Sequence, residues 1–193
     1  MSKKNTNTTA DHLPWETVDI LINKLYDDGD YRMCLLVGCG CYLGIKISDL
    51  LSLKWKDIKG CDKILLVETI SGKHRIICVP SNCKELIERC YSTIAVSMED
   101  YCFLNRYGKQ ISIQMVNRKL KTIKVRYHLQ INHFSTHSLR KTWGRQYYLQ
   151  KEMQGKEKEA LTFLRKTFNH SNANITKKYL AIDQVSKVKP TGL

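Results

Sequence analysis

Thr136-His137-Ser138-Leu139-Arg140-Lys141-Thr142 has the pattern of a helix start that can grip an anion. Thr136 is of a type that caps helices, and His137 and Arg140 lie three residues apart, so a helix places both on one face of its first turn. Taken alone the pattern is weak, because an exposed basic turn at this spacing is a common alternative. Its meaning depends on His170 and Tyr179, which follow farther along the chain.

The charge balance points to a polyanionic partner. Among 193 residues, Lys and Arg number 32 against 18 Asp and Glu, and the formal net charge at pH 7 is +14. Such an excess is typical of nucleic-acid binding, although a generally basic protein would also show it. No apolar run reaches the ~18 residues of a membrane helix, and the N-terminus lacks a signal-peptide pattern. We therefore predict a single cytoplasmic, nucleoid-associated domain with no membrane partner.

Eight cysteines are many for this length, but their spacing does not indicate a metal site. There is no Cys-x-x-Cys pair, and the histidines do not complete a zinc motif with them. Most lie in apolar runs such as Met33 to Val37, where a thiol behaves as a small buried hydrophobe. We expect reduced thiols, no metal and no cofactor.

Hydrophobic periodicity predicts a mainly α domain with a small antiparallel β-hairpin, an α+β fold class. Residues 1–13 are polar and aperiodic, so we predict a flexible arm there, a domain over 14–181 and a tail over 182–193. The second helix is apolar nearly all round and should be central. Helices are predicted over about 14–26, 31–43, 81–96, 112–126, 136–150, 158–167 and 172–180, with a short one from about 48 and a hairpin over 63–79.

Several basic positions lie next to these predicted elements. Gly44 is placed to end the second helix as a left-handed cap, which leaves Lys46 just before the short helix, able to reach outward. The hairpin tip, Ser71-Gly72-Lys73, is followed by His74 and Arg75 and is strongly basic. Arg118 belongs to a charge run on the helix over 112–126, and that run is either a solvated face or a DNA-facing one.

Four pieces of sequence follow one another in an informative order. They are Gly-Ile-Lys-Ile-Ser-Asp-Leu-Leu-Ser-Leu-Lys-Trp-Lys-Asp-Ile over 44–58, Thr-His-Ser-Leu-Arg-Lys-Thr over 136–142, Asn-His-Ser over 169–171 and Ile-Thr-Lys-Lys-Tyr over 175–179, with the basic hairpin between the first two. In this order they resemble the catalytic domain of the tyrosine recombinases, the phage integrase family. The resemblance covers about 14–181 and implies that family's catalytic-domain fold.

The resemblance also implies covalent chemistry on DNA. In that family a tyrosine hydroxyl attacks a DNA phosphodiester, forms a 3′-phosphotyrosine bond and releases a 5′-hydroxyl, without a metal. Fixed cationic donors stabilise charge on the phosphate oxygens, and a lysine on the hairpin tip acts as general acid. The implied function is site-specific recombination of double-stranded DNA, for integration, excision or inversion, by a multimer assembled on the DNA.

The resemblance implies roles for individual residues of this chain. Lys46 stands where the family has its first arginine; it keeps the charge but loses the planar fork, and Asp49 matches the acidic residue that supports that arginine. Asn169 replaces the usual glycine before the later histidine and is able to adopt a left-handed conformation. The remaining roles are nucleophile for Tyr179, second arginine for Arg140, and phosphate-site histidines for His137 and His170.

The hairpin lysine is not fixed to one position by the resemblance, because the family's lysine commonly falls near Ile70 here. Lys73 is the first candidate for general acid and Lys63 the weaker one. DNA contacts are predicted for Lys73, His74, Arg75, Arg118 and Lys141.

Alternatives to an active recombinase stay open. The Lys46 replacement is compatible with a catalytically impaired protein of the same fold that binds DNA as a regulator or accessory factor. An RNA-binding or unrelated basic helical module would require the motif series to be coincidence. The chain lacks room for an N-terminal core-binding domain. It resembles the short recombinases in size, and a fragment of a longer integrase or a decayed mobile-element remnant stays open.

Overall fold

The computed structural model describes residues 11–67, 72, 74–94 and 97–182. Over these ranges the chain is mainly helical with one two-stranded antiparallel sheet, which confirms the predicted fold class. The described part contains no helix long and apolar enough to cross a membrane. In chain order the elements are α1 (Trp15–Asp27), α2 (Tyr31–Leu43), α3 (Ile47–Leu51), α4 (Trp55–Ile58), β1 (Lys63–Val67), β2 (His74–Cys78), α5 (Ser81–Ile94), α6 (Ile113–Arg126), α7 (Thr136–Glu152), α8 (Glu157–Phe168) and α9 (Ala173–Leu180).

Helix α2 is the centre of the fold, as its all-round apolar sequence predicted. Every residue from Met33 to Leu43 is buried, and α1, α5 and α7 pack around it. Gly40 allows α7 to approach closely, because a Cβ there would lie only 2.8 Å from Cδ1 of Leu139. The helix ends at Gly44 in the predicted left-handed conformation, with φ 61°. This cap turns the chain towards α3.

The hairpin pairs β1 with β2 in antiparallel register, with Leu65 opposite Ile76. Side chains of β1 alternate between solvent and core, so that Ile64 and Leu66 are buried. Residues 68–71 and 73, which include most of the predicted tip, lie outside the described residues.

Two segments differ from the sequence prediction. Helix α4 is a separate turn that the pattern over 44–58 did not reveal; its Trp55 is buried in the core at 1% exposure. The predicted arm is wrong for its last three residues, 11–13. Leu13 is buried at 2% exposure, its N–H donates to Oγ1 of Thr142 at 2.8 Å, and the N–H of Asp11 donates to the carbonyl of His133 at 3.2 Å. A single apolar residue in a polar stretch has no period by which its burial could be recognised.

Candidate active site

The first turn of α7 is fixed by two different caps. Ser135, with extended backbone (φ −146°, ψ 177°), is the N-cap and exchanges hydrogen bonds with Ser138 in a capping box. The prediction that Thr136 caps the helix is therefore wrong by one residue, because two neighbouring hydroxyl residues both suit the position. Thr136 is instead the first helical residue, and its N–H donates to Oδ1 of Asn117 on α6 at 2.9 Å. The helix start is thereby held against α6.

Helix α7 gives its two motif residues different environments. His137 is exposed, whereas Arg140 is buried at 7% exposure. Nη2 of Arg140 donates to the carbonyl of Thr167 at 2.7 Å, and its guanidinium carbon lies 5.0 Å from the ring centroid of Phe168. Since Thr167 is in the last turn of α8, the cation meets the negative end of that helix. Arg140 is thus held in place before any substrate arrives.

The turn between α8 and α9 presents His170. Asn169 ends α8 in the left-handed conformation foreseen for it, with φ 60° and ψ 43°, and Asn172 then caps α9. Nδ1 of His170 lies 3.0 Å from Oγ1 of Thr176. Burial lowers the pKa of His170 below its ordinary value of 6.5, and the positive charge of Arg140 lowers it further. At neutral pH His170 is therefore an uncharged imidazole.

Tyr179 packs beside these groups near the end of α9. Its ring centroid lies 5.3 Å from that of His170 and 5.1 Å from that of Phe168, both in edge-to-face geometry. Its hydroxyl is 3.5 Å from the carbonyl of His137. Burial raises the pKa of Tyr179 above 10.0, while Arg140 lowers it by a smaller amount. The hydroxyl is therefore protonated at neutral pH and must lose its proton in order to act as a nucleophile.

Five of the six residues predicted to be catalytic line one cavity of about 320 Å³. Lys73, the sixth, lies outside the described residues. A larger cavity of about 490 Å³, between the start of α2, the end of α5 and α6, holds none of the predicted site residues, so size does not identify the site. The smaller cavity is lined by Lys46, Ile47, Ser48, Thr136, His137, Arg140, Phe168, His170 and Tyr179.

Lys46 lines this cavity together with its neighbours Ile47 and Ser48. It is the half-buried N-cap residue of α3, with extended backbone (φ −63°, ψ 143°), placed there by the left-handed turn at Gly44. Asp49, predicted to support it, is 1% exposed in the first turn of α3 and accepts a hydrogen bond from Oγ of Ser48 at 3.2 Å. Asp49 lies behind the cavity wall and does not line it.

The residues predicted to contact DNA fall into two groups. His74 is exposed and Arg75 half-buried on β2, and Arg118 is exposed on α6. Lys141 is instead 5% exposed, with Nζ 5.8 Å from the centroid of the Tyr179 ring. Its position one residue after Arg140 turns it towards α9, and this burial argues against direct contact with DNA.

Burial lowers the pKa of Lys141, Asp11 raises it, and Arg145 lowers it. The buried ammonium therefore lies near the Tyr179 ring and is influenced by one negative charge, Asp11, and one positive charge, Arg145.

Some cations of the charge run on α6 form ion pairs within the protein, whereas others face outward. Nζ of Lys119 lies 3.2 Å from a carboxylate oxygen of Asp30, and Nη2 of Arg126 lies 2.7 Å from one of Asp28. These two cations thus hold the α1–α2 turn, which the sequence pattern had not suggested. Arg118 is exposed on the outward face and stays available to a partner.

Sequence reasoning missed two residues that shape the site. Phe168 contacts the rings of His170 and Tyr179 and the guanidinium of Arg140; its position two residues before a motif histidine was a usable signal. Arg145 reaches the end of α9, and no local pattern revealed that contact. Among the described residues there is no group of three or more His, Cys, Asp or Glu side chains able to hold a metal ion.

Sequence comparison gives a family and a relative. The model of the Phage integrase family matches residues 16–185. A Bacillus subtilis (strain 168) protein described as "Probable integrase/recombinase YoeC" is 28% identical over 170 residues, which cover 88% of this chain and 85% of that protein.

Solved structures with the same fold include recombinases and an integrase. The crystal structure of XerA recombinase matches with a TM-score of 0.69 at 17% identity, over 94% of this chain and 66% of that one. XerH site-specific recombinase bound to palindromic difH substrate matches with 0.69 at 18% identity, over 96% and 53%. A lambda integrase dimer bound to a COC′ core site matches with 0.63 at 15% identity, over 88% and 47%. The present chain thus spans between 47% and 66% of these solved chains.

Proposed function

The chain belongs to the phage integrase family, and from that premise we propose that it cleaves and rejoins double-stranded DNA at specific sites through a 3′-phosphotyrosine bond. The observation that carries the proposal is the convergence of a tyrosine with four donors on one cavity of about 320 Å³. The nucleophile is Tyr179, and the donors are Arg140, His137, His170 and Lys46.

The cationic residues that line the cavity are suited to hold a phosphate. Arg140 is fixed by the Thr167 carbonyl and the Phe168 ring, and Lys46 lines the same cavity. Donors that are already oriented stabilise developing charge on phosphate oxygens without a reorganisation cost. His137, exposed at the rim, adds a third donor where a DNA backbone would enter.

The protonation states of Tyr179 and His170 suit an attack by the tyrosine hydroxyl. Tyr179 is protonated at neutral pH, and His170 beside it is uncharged, because burial raises the pKa of the first and lowers that of the second. We assign to His170, whose ring centroid lies 5.3 Å from that of Tyr179, the acceptance of the tyrosine proton as the phosphorus–oxygen bond forms. We assign protonation of the leaving 5′-oxygen to Lys73.

Lys46 favours a second candidate function, a DNA-binding regulator or accessory protein that does not cleave. A lysine ammonium offers a compact charge, whereas the family's arginine offers a planar fork to two phosphate oxygens at once. Since Lys46 lines the cavity, its replacement of arginine acts on phosphate contact directly.

A covalent-capture experiment tests the first proposal and does not require a defined target site. The tagged chain is incubated with sheared genomic DNA of its source, the mixture is denatured in SDS, and DNA that stays attached is sequenced. A recovered site is then rebuilt with a nick near the cleavage position, so that the released fragment diffuses away and the adduct accumulates. We expect wild type and Tyr107→Phe to form the adduct and Tyr179→Phe to form none; Tyr107 is 70% exposed and does not line the cavity that holds Tyr179.

The Lys46→Arg variant separates the two candidate functions. Adduct from Lys46→Arg but not from wild type would establish the non-cleaving regulator. Adduct from both proteins would establish the recombinase. The ratio of their rates of adduct formation would then measure what the planar guanidinium of arginine contributes.

We extend the proposal to organisation and setting: a catalytic domain over about 14–181, preceded by the packed residues 11–13, that acts in the cytoplasm at the nucleoid as a multimer on paired sites. Adduct formation on DNA with two sites should exceed that on one site at equal protein concentration. Equal yields on the two substrates would argue for action as a monomer.

A further inference from the structure

Helix α9 depends on tertiary contacts for its position. It contains eight residues, from Ala173 to Leu180, and a helix this short is not stable alone in water. Its start is capped by Asn172, whose Oδ1 accepts from the N–H of Ile175 at 3.0 Å. Tyr179 is the next-to-last residue, so its hydroxyl is placed by whatever holds the last turn.

Arg145 of α7 holds that last turn. Its Nη1 donates to the carbonyl of Leu180 at 2.9 Å and to that of Ala181 at 3.1 Å. The last carbonyls of a helix have no partner inside the helix and carry the negative end of its dipole. A guanidinium there satisfies both needs, and hydrogen bonds to a charged donor are stronger than neutral ones.

Apolar packing beside Arg145 acts on the same turn. The side chain of Leu180 is fully buried. A Cβ at Gly144 would lie 3.0 Å from Cδ2 of Leu180 and 2.6 Å from Cζ of Phe168, so α7 and α9 touch closely at the residue before Arg145. Ala181, which follows the turn, has a left-handed backbone with φ 54°, a conformation that costs free energy for a residue with a Cβ. The bonds from Arg145 offset that cost.

We propose that Arg145 is a positioning residue that fastens the end of α9 to α7 and so keeps the Tyr179 hydroxyl in the cavity of its own chain. The catalytic half of this proposal rests on the proposed function, and the structural half rests on the contacts of Arg145 alone. Without the guanidinium, the carbonyls of Leu180 and Ala181 lose their charged donor. The free-energy cost of the left-handed backbone at Ala181 is then no longer offset, and the last turn of α9 unwinds. DNA binding changes little, because Arg145 points at α9.

The structural half is tested by hydrogen exchange on the full chain without DNA. We expect the α9 amides of Arg145→Met to exchange about tenfold faster than wild type, as for loss of a charge-assisted bond within a local unit, while α1 and α2 are unchanged. Arg145→Lys should lie between the two, since an ammonium can reach one or both carbonyls. Lys151→Met on the same helix is the matched control; it removes one charge, from a side chain whose Nζ donates to Oε1 of Gln154 at 3.3 Å.

Two results would overturn the structural half. One is α9 exchange in Arg145→Met equal to that in Lys151→Met. The other is faster exchange spread evenly over α1, α2 and α9, which would make Arg145 a general stabiliser. If Arg145→Met does not fold, Arg145→Lys decides by the same criteria: faster exchange confined to α9 supports the proposal, and unchanged or evenly spread exchange contradicts it.

The catalytic half is tested on the nicked substrate at saturating DNA. For Arg145→Met the first-order rate of adduct formation should fall by roughly 10- to 100-fold, the range expected for a misplaced reacting group, with a DNA Kd close to that of Lys151→Met and with partial rescue in Arg145→Lys. An unchanged rate, or a loss that appears only in Kd, would overturn it. If wild type itself forms no adduct, the proposed function fails, whereas the exchange experiment still decides whether Arg145 holds α9.

Discussion

The molecule has two packed regions, and they hold different parts of the site. The main core joins α1, α2, α5, α6 and the first half of α7, and it contains Leu139. The small core consists of Tyr148, Ala160, Leu164, Leu180 and Ile182, with aromatic rings packed at its edge. Helix α7 belongs to both: Leu139 lies in the main core, and Arg140 next to it contacts Thr167 and Phe168 beside the small core. Tyr179 stands on a helix attached to the small core.

This division predicts which parts of the site open at a lower free energy than others. Regions with few buried apolar contacts open locally at a lower free energy than the global unfolding free energy. We therefore expect Tyr179 and His170, which pack beside the small core, to open at a lower free energy than the main core, whereas Arg140 on α7 is tied to α8 through the Thr167 carbonyl.

The largest effect is expected in the main core. Trp55 is 1% exposed and packs edge-to-face on Tyr91 with centroids 5.2 Å apart. Trp55→Ala leaves a large cavity and should lower the free energy of unfolding by about 3–5 kcal/mol, measured by urea denaturation with circular dichroism. A loss below about 1 kcal/mol would mean that this region relaxes freely, and the distinction between the two cores would then fail.

A smaller and more local effect is expected in the small core. Leu164 is fully buried on α8, and Leu164→Ala should cost about 2–3 kcal/mol, near the low end for such changes because a small cluster can partly collapse. Hydrogen exchange should accelerate in α8 and α9 while α1 and α2 keep their protection. The half-buried neighbour Leu161 provides the control Leu161→Ala, which should change exchange less. Equal acceleration in α2 would show that the two cores unfold as one unit.

The smallest effect is a pH dependence of stability that arises at His170. Folding lowers the pKa of His170 from 6.5, through burial and then Arg140, so the unfolded chain takes up that proton at higher pH than the folded one. The free energy of unfolding should therefore be greatest above pH 6.5 and fall as the pH drops below it. His12, whose pKa burial also lowers, adds to the same slope. The His170→Gln variant should show a shallower slope than wild type, and an identical slope would contradict the assignment.

Much of the fold followed from local pattern. The predicted bounds of α2 were confirmed, because its apolar run is bounded by Asp30 and Gly44. Those of α1, α6 and α8 lay within about two residues of the structure, because each has a clear apolar stripe. The short turn α4 was missed since four residues show no period. The N–H of Leu13 donates to Oγ1 of Thr142, 129 positions away, and no local signal reports such a contact.

The site was predictable in its residue types and not in its supports. Motif order predicted that Tyr179, His170 and Arg140 converge, and they share one cavity in the structure. The direction of Lys141 was not predictable, since one step along a helix decides between solvent and interior and depends on where α9 packs. Arg145 could not be recognised for the same reason, because its partners are backbone carbonyls at the far end of another helix.

The measurement that most directly tests covalent attachment is identification of the residue that carries DNA. The adduct is treated with nuclease and trypsin, and mass spectrometry locates the nucleotide remnant. We expect it on Tyr179, at the start of the peptide that follows cleavage after Lys178. A remnant on any other residue, or an adduct that persists in Tyr179→Phe, would contradict the proposed role of Tyr179.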